Sequence, residues 1–307
     1  MLNKQLTGRQ ILLWSIAAVS APLAIYAGGS SWEWTLVAGL ICTAAVLATL
    51  KYGDGNYGII LRAGQLIVIA MAAGTFAKEI SPCWGQRELA MPLAMIALAA
   101  LCAMGGAERA GRVSCVIVWI IAIIYIVVLS AGVKNMDIGR LKPDGEGQLM
   151  LLPSFLVPAV ILMMPIGQGK RLCWLGISAL SGTVISIWCA ATLTRQGVQS
   201  VEIPFYEYSK SLNLLGVAER FEALASVALT LGMFCLLSLL LSAAENLVRN
   251  GSIIAGIGAA YVASSISIGA AEMSVITTVF WLIVPLINGV KNNRKNMKKV
   301  LDKNEPK

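Results

Sequence analysis

Ten apolar runs crowd this chain, near residues 11–27, 34–50, 58–77, 89–104, 113–133, 149–168, 172–193, 222–243, 252–270 and 273–290. A helix crossing a hydrocarbon core of about 30 Å needs about 20 mainly apolar residues, because each adds about 1.5 Å. Lipid offers the backbone no hydrogen-bond partner, so such a run must satisfy its own amides and carbonyls as a helix. Composition agrees: 57% of residues are hydrophobic and 13% charged, with a mean hydropathy of +0.76. Soluble domains carry about 25% charge. The expected fold is an all-α polytopic membrane protein with about ten transmembrane helices, forming one domain over 1–290 with a basic tail over 291–307.

Lysine and arginine set the expected orientation, since cytoplasmic connections collect them. Sixteen of the 24 lie on one set of connections, with Lys4, Arg9, Lys51, Arg62, Arg109, Arg112, Lys170, Arg171, Arg249 and the tail. The other set holds eight. The richer set is placed in the cytoplasm, which puts both termini inside, in a multi-pass protein of a cell membrane. The tail carries most of that asymmetry, so the net charge of +8 reads as a topology signal, with attraction to anionic membrane lipid, and not as a nucleic-acid signal. The first run follows Lys4 and Arg9 like a signal peptide, but Pro22 within it and nine further runs favour a retained span.

The chain has no histidine, and its seven cysteines form no CxxC pair. The usual general base and the commonest metal ligand are missing, and neither GxSxG nor a phosphate-binding loop is present. An enzyme is not expected, and neither is a cofactor or metal. The cysteines read as small apolar residues, with only Cys83 placed in a loop.

Two runs are interrupted by proline near mid-span. The first contains Ser20-Ala21-Pro22, and the sixth contains Pro153, Pro158 and Pro165. Proline removes an amide donor and clashes with the carbonyl four residues back. A break at membrane depth is tolerated only against protein or a polar cavity. Ten runs divide into five and five, and an odd number per half inverts one half relative to the other. Runs 1 and 6 then become symmetry mates. Paired interrupted helices in such a five-plus-five inverted repeat point to a ligand site. The alternative is two kinked helices with no ligand. The candidate ligand-binding residues are Ser20, Ala21, Pro22, Pro158 and Ala159, where freed amides can meet a carboxylate and freed carbonyls an ammonium. Gly74 and Thr75 on run 3, and Ser226 and Thr230 on run 8, are added as possible cavity walls. For those four, helix packing by small residues is the simpler reading.

Several motifs resemble, in order, the spore germination permease family. Members are the membrane-embedded B subunits of nutrient germinant receptors, within the amino acid, polyamine and organocation transporter superfamily. LTGRQ (6–10) precedes run 1. GGAERAGR (105–112) is similar to the turn between spans 4 and 5. DIGRLKPDGEG (137–147) is similar to the loop before span 6. PFYEYSKSLNLLGVAERFE (204–222) leads into run 8, and FWLIVPLINGVKNNRK closes the last span. The resemblance covers nearly the whole chain. It implies the LeuT-like fold with broken helices 1 and 6. It also implies sensing of a small nutrient, with an amino acid expected, and signalling to other germinant-receptor subunits in a spore inner membrane. A transporter of amino acids or cations with the same fold is the alternative.

No ionisable residue falls clearly mid-span. Arg62, Glu222, Glu245 and Glu272 sit at run ends and read as interfacial charges. Ligand sensing or facilitated passage is therefore expected, not proton-driven accumulation. The stretch 199–221 reads as a surface helix across the outer mouth, with Leu212, Leu215 and Phe221 near helical spacing. Trp32, Trp34, Trp84 and Trp281 read as interfacial or packing aromatics.

Overall fold

The computed structural model describes residues 6–26, 33, 37, 40–41, 44, 59–84, 89–131, 184, 203–212, 221–265, 269–284 and 287. Every regular element among them is helical. The helices are α1 (Gly8–Tyr26), α2 (Ile59–Glu79), α3 (Ala90–Met104), α4 (Ala107–Ala131), α5 (Pro204–Ser211), α6 (Phe221–Leu247), α7 (Gly251–Ser265) and α8 (Ala270–Thr278). A short 3₁₀ turn, Ser81–Trp84, follows α2, and a π turn, Val279–Ile283, continues α8. The stretch Ile59–Trp84 and the helices α4 and α6 are each long and apolar enough to cross a membrane, and α3 and α7 are shorter apolar helices. Most of runs 2 and 7, and all of run 6 with Pro158 and Ala159, lie outside the described residues.

Helix α6 is the centre of the bundle, packed against α1, α2, α3, α4, α5 and α7. Ten consecutive residues, Cys235 to Ala244, are buried. A helix that is apolar on every side belongs in an interior of this kind. By contrast α4 buries one side, with Ile117, Ile121, Ile124 and Val128 inward, while Val116, Trp119, Ile123 and Ile126 stay exposed. That apolar outer face suits lipid.

Small residues let the helices approach. A Cβ on Gly74 of α2 would lie 2.5 Å from the Ala259 carbonyl oxygen of α7, and one on Gly258 would lie 3.0 Å from Ala70. Gly232 of α6 gives way to α1, where its Cβ would lie 2.8 Å from Ala21 and 2.9 Å from Ser20 Oγ. Gly111 of α4 accommodates Leu6 and Trp14. Between hydrocarbon-solvated helices, close van der Waals contact of this type supplies much of the association energy.

These contacts fix relative direction. Trp14 of α1 donates from Nε1 to the Cys235 carbonyl, 3.1 Å away, while Ala21 meets Gly232, so α1 and α6 are antiparallel. The turn after α2 meets the start of α6, and Gly64 near the start of α2 meets Phe280 near the end of α8. Tight turns join α3 to α4 and α6 to α7. Helices α1, α2, α4 and α7 therefore run one way, and α3, α6 and α8 the other.

The α6–α7 turn gives the Glu245 charge, near the end of α6, a set of partners. Its carboxylate accepts from the Asn250 amide, the Ser252 amide and the Ser252 hydroxyl at 3.1, 3.1 and 2.7 Å. Those are donors that a helix start leaves unpaired. The chain reaches them through Asn250 at φ 62°.

Helix α1 departs from expectation in another way. It continues as α-helix through Ser20-Ala21-Pro22 and shows no unwound break. Pro22 still deprives the Ala18 carbonyl of its amide. Hydroxyls work on both sides of that point: Ser20 Oγ donates to the Ala17 carbonyl at 2.8 Å, and Tyr125 Oη donates to the Ser20 carbonyl at 3.3 Å.

Two outcomes follow for stability. Gly74→Ala and Gly232→Ala each lower the thermal midpoint in detergent, at a cost of about 1–3 kcal/mol from overpacking. Gly256→Ala, whose Cβ would sit 3.3 Å from the Ala100 Cβ, costs less than either. Glu245→Ala removes the α7 cap and costs about 1 kcal/mol, and amide exchange quickens first in the initial turn of α7.

Candidate functional site

The proline-bearing turn of α1 is the natural place to build from. Ser20 is 4% exposed, and Ala21 and Pro22 are also buried. Gly232 of α6 forms one wall against them. Tyr125 of α4 covers the other side, and its hydroxyl bonds to the Ser20 carbonyl. Phe205 of α5 lies on Tyr125 with ring centroids 4.6 Å apart and planes tilted by 39°. Four elements thus meet at Ser20: α1, α4, α5 and α6.

Helix α5 owes its position to sequence. Pro204 starts it with a preset φ and no amide to waste. Ile203, Phe205, Tyr208 and Leu212 are buried, and Lys210 is exposed. This differs in detail from the expected surface helix over 199–221: the anchors are Phe205 and Tyr208, Leu212 ends the helix, and Phe221 begins α6. On the outer side Lys210 pairs with Glu207 at 2.6 Å and lies 4.3 Å from the Tyr206 ring centroid. The hydrogen bond to Glu207 raises the Lys210 pKa above the ordinary lysine value. The pairing is thus complete below the ordinary lysine range and is lost as pH rises through the raised value. Both groups are solvated, so its contribution is small.

The other expected residues are placed elsewhere. Gly74 faces α7, with Thr75 buried beside it in sequence. Ser226 and Thr230 lie on the outer part of α6, but their hydroxyls are engaged. Ser226 Oγ is 3.1 Å from the Cys83 carbonyl and 2.9 Å from the Glu222 carbonyl. Thr230 Oγ1 donates to the Ser226 carbonyl at 2.7 Å and accepts from Trp84 Nε1 at 3.0 Å. The 3₁₀ turn after α2 is thereby latched onto α6. Cys83, expected in an open loop, is buried there at 4% exposure. Thr230 and Gly232 are two positions apart, which on a helix separates them by about 200°. The hydroxyl pair therefore faces the turn, while Gly232 faces Ser20.

Sequence reading missed Tyr125, Phe205 and Gly232. Tyr125 is the one tyrosine in an otherwise aliphatic stretch, IIAIIYIVV, and a tyrosine at that depth wants a hydroxyl partner. That signal was available. Which carbonyl it would find was not.

The chemistry of this junction is neutral. The fully buried polar side chains among the described residues are serines, threonines and one glutamine. Among the described residues, no three His, Cys, Asp or Glu side chains are grouped to hold a metal. What the junction offers is backbone: the Ala17 and Ser20 carbonyls, the Ala18 carbonyl orphaned by Pro22, and hydroxyls beside them. Such groups bind ligands through hydrogen bonds and dipoles. Compared with family models and with curated proteins, the chain matches none.

Tyr125→Phe keeps the ring contact with Phe205 and removes the bond to Ser20. The expected cost is about 1 kcal/mol of thermal stability, with retained assembly. Trp84→Phe unlatches the 3₁₀ turn and speeds cysteine-reagent labelling at Cys83, while Tyr125→Phe leaves that labelling unchanged.

Proposed function

We propose that the chain is the membrane-embedded, nutrient-binding subunit of a spore germinant receptor, with the spore germination permease fold. The observation that carries the reading is the junction at Ser20. The proline turn singled out in the sequence is packed on α6 and covered by α4 and the outer helix α5, through Tyr125 and Phe205. Such an arrangement suits the ammonium of a small zwitterion, from which the Ala18 carbonyl orphaned by Pro22 can accept. A ligand taken there displaces the Tyr125 hydroxyl from the Ser20 carbonyl and loosens Phe205, which links occupancy to the outer helix. Pro158 and Ala159 of run 6 stay in the proposal as sequence candidates outside the described residues.

Helix directions support the ten-span reading. The seven apolar helices alternate as runs 1, 3, 5 and 9 against runs 4, 8 and 10. Helix α1 ends at the bundle end opposite the start of α2, and helix α4 ends on the same side as α5. The proposed architecture is two inverted halves of five spans, with both termini on the basic, cytoplasmic side. Partner subunits then read the state of α5 or of the spans.

A transporter of amino acids or cations with the same fold is the second reading. It shares the junction and differs in whether bound ligand crosses or only shifts a conformational equilibrium.

The deciding experiment deletes the gene in its host and follows germination against a panel of amino acids and other nutrients. Response to one nutrient class is lost, returns with wild type, and does not return with Ser20→Val or Pro158→Ala. Tyr125→Phe restores it with a shifted nutrient concentration for half response. Unchanged germination with altered amino acid uptake in growing cells would instead establish the transporter.

A further inference from the structure

A second polar locus lies away from Ser20, where α2 meets α8. Gln65 is fully buried, at 0% exposure. Its Nε2 donates to the Phe280 carbonyl at 3.5 Å. That carbonyl belongs to the π turn Val279–Ile283. Helix α2 comes close here, since a Cβ on neighbouring Gly64 would lie 3.2 Å from the Phe280 ring. A glutamine that only glues two helices uses its amide across the interface. Here one arm does so, and the other does not: Gln65 Oε1 is buried without a hydrogen-bond partner.

The amide cannot be reversed to remove the problem. Turning it would set Oε1 against the Phe280 carbonyl and leave Nε2 unpartnered. On α8 the buried hydroxyl of Thr277 already donates to the Met273 carbonyl at 2.7 Å. A π turn is an extra residue in the helical ladder, and such turns recur at functional positions. The locus therefore presents a buried acceptor, Gln65 Oε1, without a hydrogen-bond partner.

We propose that the α2–α8 junction is a binding site for one small tetrahedral hydrogen-bond donor, ammonium or water, held by Gln65 Oε1 beside the π turn. Both sources share the same chemistry, a single heavy atom that donates in several directions. The donor closes the unpaired acceptor and bridges α2 to the last described helix. Its occupancy then sets whether α8 keeps the π turn. This site does not rest on the nutrient reading, because it lies on a different helix pair.

The test uses the full chain in nanodiscs of one lipid composition. Thermal midpoints are compared in ammonium, potassium and choline chloride at equal ionic strength, for wild type and Gln65→Leu. Gln65→Met serves if the leucine variant does not fold. An ammonium site gives wild type a saturable rise of a few degrees in ammonium over potassium, absent from the variant. A water site gives no difference between salts, and an experimental structure then shows density at hydrogen-bond distance from Gln65 Oε1. An ammonium response that survives in the variant overturns the proposal. So does the combination of no ammonium response and empty space beside Oε1.

Discussion

Every backbone group in this bundle has to be satisfied inside protein, because lipid offers no partner. Helices meet that demand alone, but only while they are unbroken. Polar side chains gather at several places where the described chain departs from a regular helix. Ser20 and Tyr125 donate around Pro22. Glu245 takes the first amides of α7. Gln65 donates to the π turn of α8. Polar side chains in the described bundle are thus concentrated at irregularities, and each is a candidate for change when the bundle moves.

Close packing on α6 supplies the rest of the cohesion. Association in lipid gains little from removing apolar surface from one oil-like medium to another. Contact distance decides instead, and glycine sets it: Gly232 against α1, and Gly74 and Gly258 across the α2–α7 contact. The same approach places the Ser20 turn within reach of both Tyr125 and the central helix. Packing and candidate site are one construction, so substitutions there report on both.

Much of the bundle was legible in the sequence. Runs 1, 3, 4, 5, 8 and 9 begin and end within a few residues of α1, α2, α3, α4, α6 and α7, because an apolar run of span length has few other structures open to it. The packing reading of Gly74 and of the Ser226–Thr230 pair was also available, since small residues in such runs let helices approach. Other features were out of reach. Pro22 reads in sequence as a break, yet the helix continues through it, with Tyr125 brought by the fold onto the neighbouring Ser20 carbonyl. Glu245 reads in sequence as a charge at a run end, but its partners come from across a turn. Tyr125 was passed over as one aromatic among aliphatics, because its worth lies in a carbonyl 105 residues away.

What the sequence by itself determined is the solvent this chain needs and the segments that sit in it. Hydropathy is additive along the chain, so length and composition of each run are enough to say that it belongs in lipid as a helix. The tertiary structure alone decided which polar atoms face each other. Ser20 meets Tyr125 and Gly232, Thr230 meets Trp84, and Gln65 meets the Phe280 carbonyl. Hydrogen bonds and close contacts are short-ranged and directional, and their partners here come from distant parts of the chain. No local pattern carries that information until the helices have packed.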